Sequence, residues 1–86
     1  MIICVVLIGT LRTLANADSY SVELDEKATI STLMSQLRSD FANDDLLNET
    51  NVLILRNGKE ISVLQGVVTE LKNNDTVTII PISHGG

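Results

Sequence analysis

Aromatic residues are nearly missing from this chain: Tyr20 and Phe41 are the only two, and there is no tryptophan. Single-stranded nucleic-acid modules stack bases on exposed aromatic rings, so that class is excluded first. Basic side chains are also scarce, six Lys and Arg against eleven Asp and Glu, for a net charge of −5. A phosphate backbone needs a Lys/Arg cluster and none occurs, so no direct nucleic-acid contact is expected. There is one cysteine, Cys4, and one histidine, His84. A lone thiol closes no internal disulfide, and one Cys with one His makes no zinc set, so no metal site is expected. Within its apolar run Cys4 reads as a small buried hydrophobe. Residues 1–8 are too short an apolar run to span a bilayer. They lack the basic start of a signal peptide, and Arg12 breaks the run ahead of Ala15-Asn16-Ala17. A cytoplasmic protein without membrane attachment is the expectation. Enzymatic signatures are missing too. There is no acid–base pair, nucleophile constellation or phosphate-cradling loop, and Asp44-Asp45 are merely neighbours in a loop. A bound cofactor is not expected.

What the chain has is aliphatic bulk, with 44% hydrophobic residues in 86. One small domain of this size buries only about 60% of its unfolded surface and needs a dense core. Residues 2–8 are a β-branched apolar run, the pattern of an inner strand covered on both faces. Residues 20–24 alternate, with Tyr20, Val22 and Leu24 on one side, as a half-buried strand does. Ile30, Leu33, Met34 and Leu37 keep helical spacing after Thr29, whose hydroxyl suits an N-cap, and the helix should stop near Asp40 or Phe41. Residues 42–51 are rich in Asn and Asp and read as loop. Residues 52–55 and 60–63 are predicted strands joined by Asn57-Gly58, a pair that tolerates the positive φ of a tight hairpin. Residues 64–71 are ambiguous. After the turn at Asn73-Asn74-Asp75, residues 76–82 form the last strand, where Pro81 should end the pairing because it has no N–H. Strands followed by one helix and more strands imply an α+β domain.

Two stretches carry a specific likeness. Gly9-Thr10-Leu11-Arg12-Thr13-Leu14-Ala15, with Ala28-Thr29-Ile30, is similar to the N-terminal half of the molybdopterin synthase small subunit and related sulfur carriers. Arg56-Asn57-Gly58-Lys59-Glu60-Ile61, Asn74-Asp75-Thr76-Val77 and the closing Ile80-Pro81-Ile82-Ser83-His84-Gly85-Gly86 resemble the ubiquitin-related modifiers, including small archaeal modifiers. The chain departs from these families at Asn73-Asn74-Asp75, where Asp-Gly-Asp is usual, and from the molybdopterin synthase subunits at Ser83-His84, where Ser-Gly or Thr-Gly is common, which favours the modifier branch. The resemblance implies a ubiquitin-like β-grasp fold. That is a mixed sheet of four to five strands with one main helix across it, in a domain of residues 1–82 with a flexible tail at 83–86.

The resemblance also implies a function. The Gly86 carboxylate would be adenylated by an E1-like enzyme that consumes ATP. It would then be thiocarboxylated for sulfur transfer, as in tRNA thiolation, or joined to a target amine. Gly85 and His84 would serve in tail recognition, Gly85 because a chain without side chains threads a narrow channel. His84 is expected to be a contact or a solvated side chain rather than a proton shuttle. The partners implied are the E1-like enzyme and either target lysines or a sulfur-accepting enzyme, with the free protein a monomer. Lys27, Lys59 and Lys72, the only lysines, are expected to be solvated. Two alternatives stay open: a molybdopterin synthase small subunit donating sulfur to a pterin precursor, or a non-covalent β-grasp interaction domain. On the sheet, alternation puts Val77 and Ile79 inward and Ile80 outward. By likeness to ubiquitin-type sheets, Leu53 and Leu55 point inward and Ile54 outward. Ile54 and Ile80 are then the expected partner-binding patch.

Overall fold

A computed structural model describes residues 1–82. Five strands form one mixed sheet: β1 (Ile2–Leu7), β2 (Ser19–Glu23), β3 (Val52–Arg56), β4 (Lys59–Glu60) and β5 (Thr76–Pro81), in the order β2-β1-β5-β3-β4. Neighbouring strands are antiparallel except β1 and β5, which run parallel. One turn of helix, α1 (Arg12–Ala15), follows β1, and the main helix α2 (Ile30–Phe41) packs across one face. No helix among the described residues is long and apolar enough to cross a membrane.

The helix forms where the apolar spacing places it. Thr29 accepts a hydrogen bond from the Thr32 N–H at 3.3 Å, and the Thr32 hydroxyl accepts one from the Thr29 N–H at 3.2 Å. This reciprocal box satisfies two donors that a helix start leaves free. Ile30, Leu33, Met34 and Leu37 are fully buried against Ile3, Val5, Val77 and Ile79 of the sheet's inner face. Residues 69–71, ambiguous in sequence, bond to the entry of α2 through Ile30 N–H to Thr69 O and Leu71 N–H to Ala28 O.

Several expectations change. β1 is an inner strand but is covered on one face only: Ile3, Val5 and Leu7 are buried, Cys4 and Val6 half-buried and Ile2 exposed. Cys4 is therefore a half-buried thiol on the sheet's open face and not a core residue. The hairpin forms with Arg56 opposite Lys59, and Asn57 and Gly58 both take positive φ, 50° and 83°. Its return strand is only two residues long, because the chain turns into a 3₁₀ segment at Ile61–Val63, where Ile61 drops into the core. Asn74 takes φ 70°, a left-handed position that asparagine tolerates.

Pairing also continues past the proline. Pro81 sits opposite Val52, and the Ile82 N–H donates to Asn51 O at 3.0 Å. Along an antiparallel strand the N–H groups alternate in direction. Those of residues 80 and 82 aim at β3, so the missing donor of Pro81 falls on the side where β1 has already ended. The proline removes no bond from the β3 ladder.

Candidate functional site

The last strand is the centre of the sheet. β5 pairs with β1 from Cys4–Thr76 to Leu7–Ile79 and with β3 from Arg56–Val77 to Val52–Pro81. Val77 and Ile79 are fully buried and anchor it from below. At its end, Ile8 N–H donates to Ile79 O at 3.0 Å on one side, and Asn51 O holds Ile82 on the other. The body therefore grips the chain up to residue 82. His84, Gly85 and Gly86, the tail residues named from the sequence, lie outside the described residues.

The start of β5 is clamped by a buried carboxylate that sequence reasoning read only as part of a turn. Asp75 is 6% exposed. It accepts hydrogen bonds from Arg56 Nε at 2.7 Å, Asn57 Nδ2 at 2.9 Å and the Lys72 N–H at 2.7 Å. Asn57 then pairs with Thr76 in both directions, its Oδ1 accepting from the Thr76 N–H and its own N–H donating to Thr76 O, each at 2.8 Å. The Asp75 carbonyl accepts from the Cys4 N–H at 2.9 Å. Burial pushes the Asp75 carboxyl up. The bonds from Arg56, Lys72 and Asn57, with the guanidinium charge, outweigh this and hold it below the usual carboxylate range. The sequence signal was an acid just before a strand and an Arg-Asn-Gly hairpin, and nothing in it said that the two meet.

The sheet's open face is where the expected patch needs correction. Ile54 is 2% exposed and lies in the core. Cross-strand partners share a face. Ile54 pairs with Ile79, which faces α2, whereas Leu53 pairs with Ile80 and Leu55 with Thr78. The inward set of β3 is thus Val52 and Ile54, and the outward set is Leu53 and Leu55. A one-residue change of register exchanges the faces completely. Ile80 stays where it was expected, half-buried on the open side. The apolar patch is Leu53, Leu55 and Ile80 with Val6 and Cys4 of β1, all half-buried.

Beside the strand's exit lies a cleft of about 620 Å³. Gly9 and Thr10 form one wall, Asp45, Leu46 and Asn51 the other, and Pro81 and Ile82 border it. Gly9 takes φ +61°, and a Cβ there would stand 3.3 Å from Pro81 Cγ. Both the backbone angle and the close approach call for glycine at this corner. Nothing in the sequence marked this cleft, because its walls are more than thirty residues apart in the chain.

Tyr20 is the remaining buried polar group without a partner among the described residues. Its ring meets Phe41 edge to face at 5.4 Å between centroids. Burial, with the nearby Asp40 charge, pushes its phenol above the ordinary range. It lies across the sheet from the strand exit and has the role of a core aromatic.

A model of the ThiS family matches residues 5–86. The chain is 26% identical over 84 residues to small archaeal modifier protein 3 of Haloferax volcanii, covering 91% of each. Its structure resembles that of Urm1 from Trypanosoma brucei, with 25% identity, a TM-score of 0.78 and coverage of 99% of this chain and 95% of that one. It also resembles small archaeal modifier protein 1 of Methanosarcina acetivorans, with a TM-score of 0.81 and coverage of 99% and 96%. At 22% identity that likeness speaks for the β-grasp fold alone.

Proposed function

The chain belongs to the ThiS family, and from that premise we propose that it is a small protein modifier and sulfur carrier that works through the carboxylate of Gly86. The observation that carries the reading is that the family match runs from the first strand through Gly86, taking in the tail as well as the body. The fold supports it, since the strand leading to the tail is held from both sides up to Ile79 and by the β3 side up to Ile82.

The chemistry follows from what a carboxylate needs. It is a poor acyl donor because its leaving group would be oxide. An E1-like enzyme removes that obstacle by letting a Gly86 oxygen attack the α-phosphorus of ATP. An acyl-adenylate forms and pyrophosphate leaves. A sulfur donor then displaces AMP to leave a thiocarboxylate, or a lysine amine displaces it to leave an isopeptide bond. The carrier's own work is to present the tail and to hold the enzyme. Leu53, Leu55 and Ile80 give the open sheet face an apolar surface suited to that docking. ATP is used by the enzyme and is not held by this chain. The reaction belongs in the cytoplasm, where ATP and target lysines meet.

The test uses an N-terminally tagged copy in its native cells. The intact mass of the free protein should show replacement of one oxygen by sulfur. A reducing, denaturing gel should show a ladder of heavier tagged bands, lost when Gly85 and Gly86 are deleted. If neither appears in cells that contain an E1-like enzyme, the reading is wrong and a non-covalent interaction domain takes its place.

A further inference from the structure

The cleft beside the strand exit leaves large apolar side chains in the open. Leu46 is 41% and Ile82 43% exposed. Its volume, about 620 Å³, is in the range that takes a bulky group. Its lining includes Asp45 and no Lys or Arg. None of Leu53, Leu55 and Ile80 lines it, so it is separate from the open-face patch.

Chain length then fixes what must face it. Gly86 is the fourth residue after Ile82, and an extended chain advances at most about 3.6 Å per residue. Any active site that takes the Gly86 carboxylate therefore lies within about 14 Å of Ile82. The surface surrounding that active site therefore comes close to the cleft, because Ile82 is one of the cleft's own borders.

We propose that this cleft is a second docking point for the adenylating enzyme, filled by a large apolar side chain of that enzyme with a Lys or Arg beside it to meet Asp45. The proposal rests on the carrier reading above. It adds a contact close to the tail that sets how tightly the enzyme holds the carrier, with no part in the chemical step. Contacts of this kind gain most when an apolar anchor enters a pocket and its rim excludes water.

The test is ATP–pyrophosphate exchange by each E1-like adenylating enzyme of the source organism, measured with and without the full-length carrier. Leu46→Asp and Asp45→Lys change exposed side chains, so both variants should keep the wild-type melting temperature. Each should raise KM for the carrier about tenfold, the loss of one good anchor, with kcat unchanged. Val68→Asp, at a 65% exposed position outside the cleft, should change neither. Deleting Gly85 and Gly86 should abolish exchange. If both cleft variants keep the wild-type KM while that deletion abolishes exchange, the cleft proposal fails and the carrier reading stands. If the wild-type chain supports no exchange with any such enzyme, both fail together. Should Leu46→Asp instead break up a concentration-dependent dimer in sedimentation, the occupant is a second copy, and the proposal is overturned.

Discussion

Truncating Ile54 to alanine tests the register that decides which face of the sheet is free. The side chain is 2% exposed and paired with Ile79 over the helix-covered face. Removing it beyond Cβ loses its transfer free energy and leaves a void that a tightly packed core fills only in part. Substitutions of this type cost about 2–5 kcal/mol. Ile54 sits mid-strand beneath α2, with little room for collapse, so about 3 kcal/mol is expected. For a domain of this size each kcal/mol moves the midpoint by about 4–8 °C, which predicts a fall of roughly 12–24 °C. Leu53→Ala, one residue away on the half-buried open face, should cost only about 1 kcal/mol. There is no tryptophan, so both unfolding curves are best followed by far-ultraviolet circular dichroism in urea and on heating. The slope against urea should match the wild type, since the same surface is exposed on unfolding. If Leu53→Ala proves the costlier change and Ile54→Ala is nearly silent, β3 is shifted by one residue and the open-face patch is wrong.

Asp75→Asn should destabilise the fold by about 3 kcal/mol at neutral pH, as expected when one partner leaves a mostly buried ion pair. Because the native carboxyl titrates below its unfolded value, its contribution is complete above about pH 4 and is lost as pH falls through the native pKa. The variant should therefore show a flatter stability profile below about pH 4 in urea titrations than the wild type. Thr29→Ala removes the hydroxyl half of the capping box and should cost about 1 kcal/mol by urea denaturation without affecting adenylation. Adding one alanine after Gly86 places the carboxylate on the wrong residue. Pyrophosphate exchange should fall to background while the melting temperature stays unchanged, and full activity in that variant would refute the Gly86 chemistry.

Much of the fold was legible because it rests on local rules. The Thr29 cap and the spacing of Ile30, Leu33, Met34 and Leu37 place α2 within a residue, and Asn57-Gly58 places the hairpin. These signals depend on side chains a few positions apart. What failed depends on pairing between distant strands. Residues 52–55 are all apolar, so alternation has no contrast to read, and only the pairing of Ile54 with Ile79 decides which side is inward. The 60–63 strand was overdrawn for a related reason. Its composition suits a strand, but Ile61 reaches the core by turning into a 3₁₀ segment, a choice made by the packing around it. The Asp75 clamp and the cleft at Gly9 both join residues far apart in the chain, and a single sequence gives no measure of such proximity.

The topology bears on why this fold suits a protein handled by its end. A carrier's tail has to be drawn into an enzyme, and tension on the tail acts first on the element attached to it. An edge strand would be held by one ladder and could peel away residue by residue. Here the attached strand is the central one, with a parallel ladder to β1 and an antiparallel ladder to β3. Its start is fixed by the Asp75 bonds to Arg56, Asn57 and Lys72, and its end by the single bond from Ile82 to Asn51. Tension along the strand must shear both ladders together before Val77 or Ile79 leaves the core. The weakest link is therefore the last one, at Ile82, and yielding there releases one more residue while the body stays folded. Hydrogen exchange in the enzyme complex should then show the Ile82 amide losing protection while those of Val77 and Ile79 keep theirs. Loss of protection along the whole of β5 would mean that the body opens when the tail is taken, and that the two ladders do not bear the load in the way the topology implies.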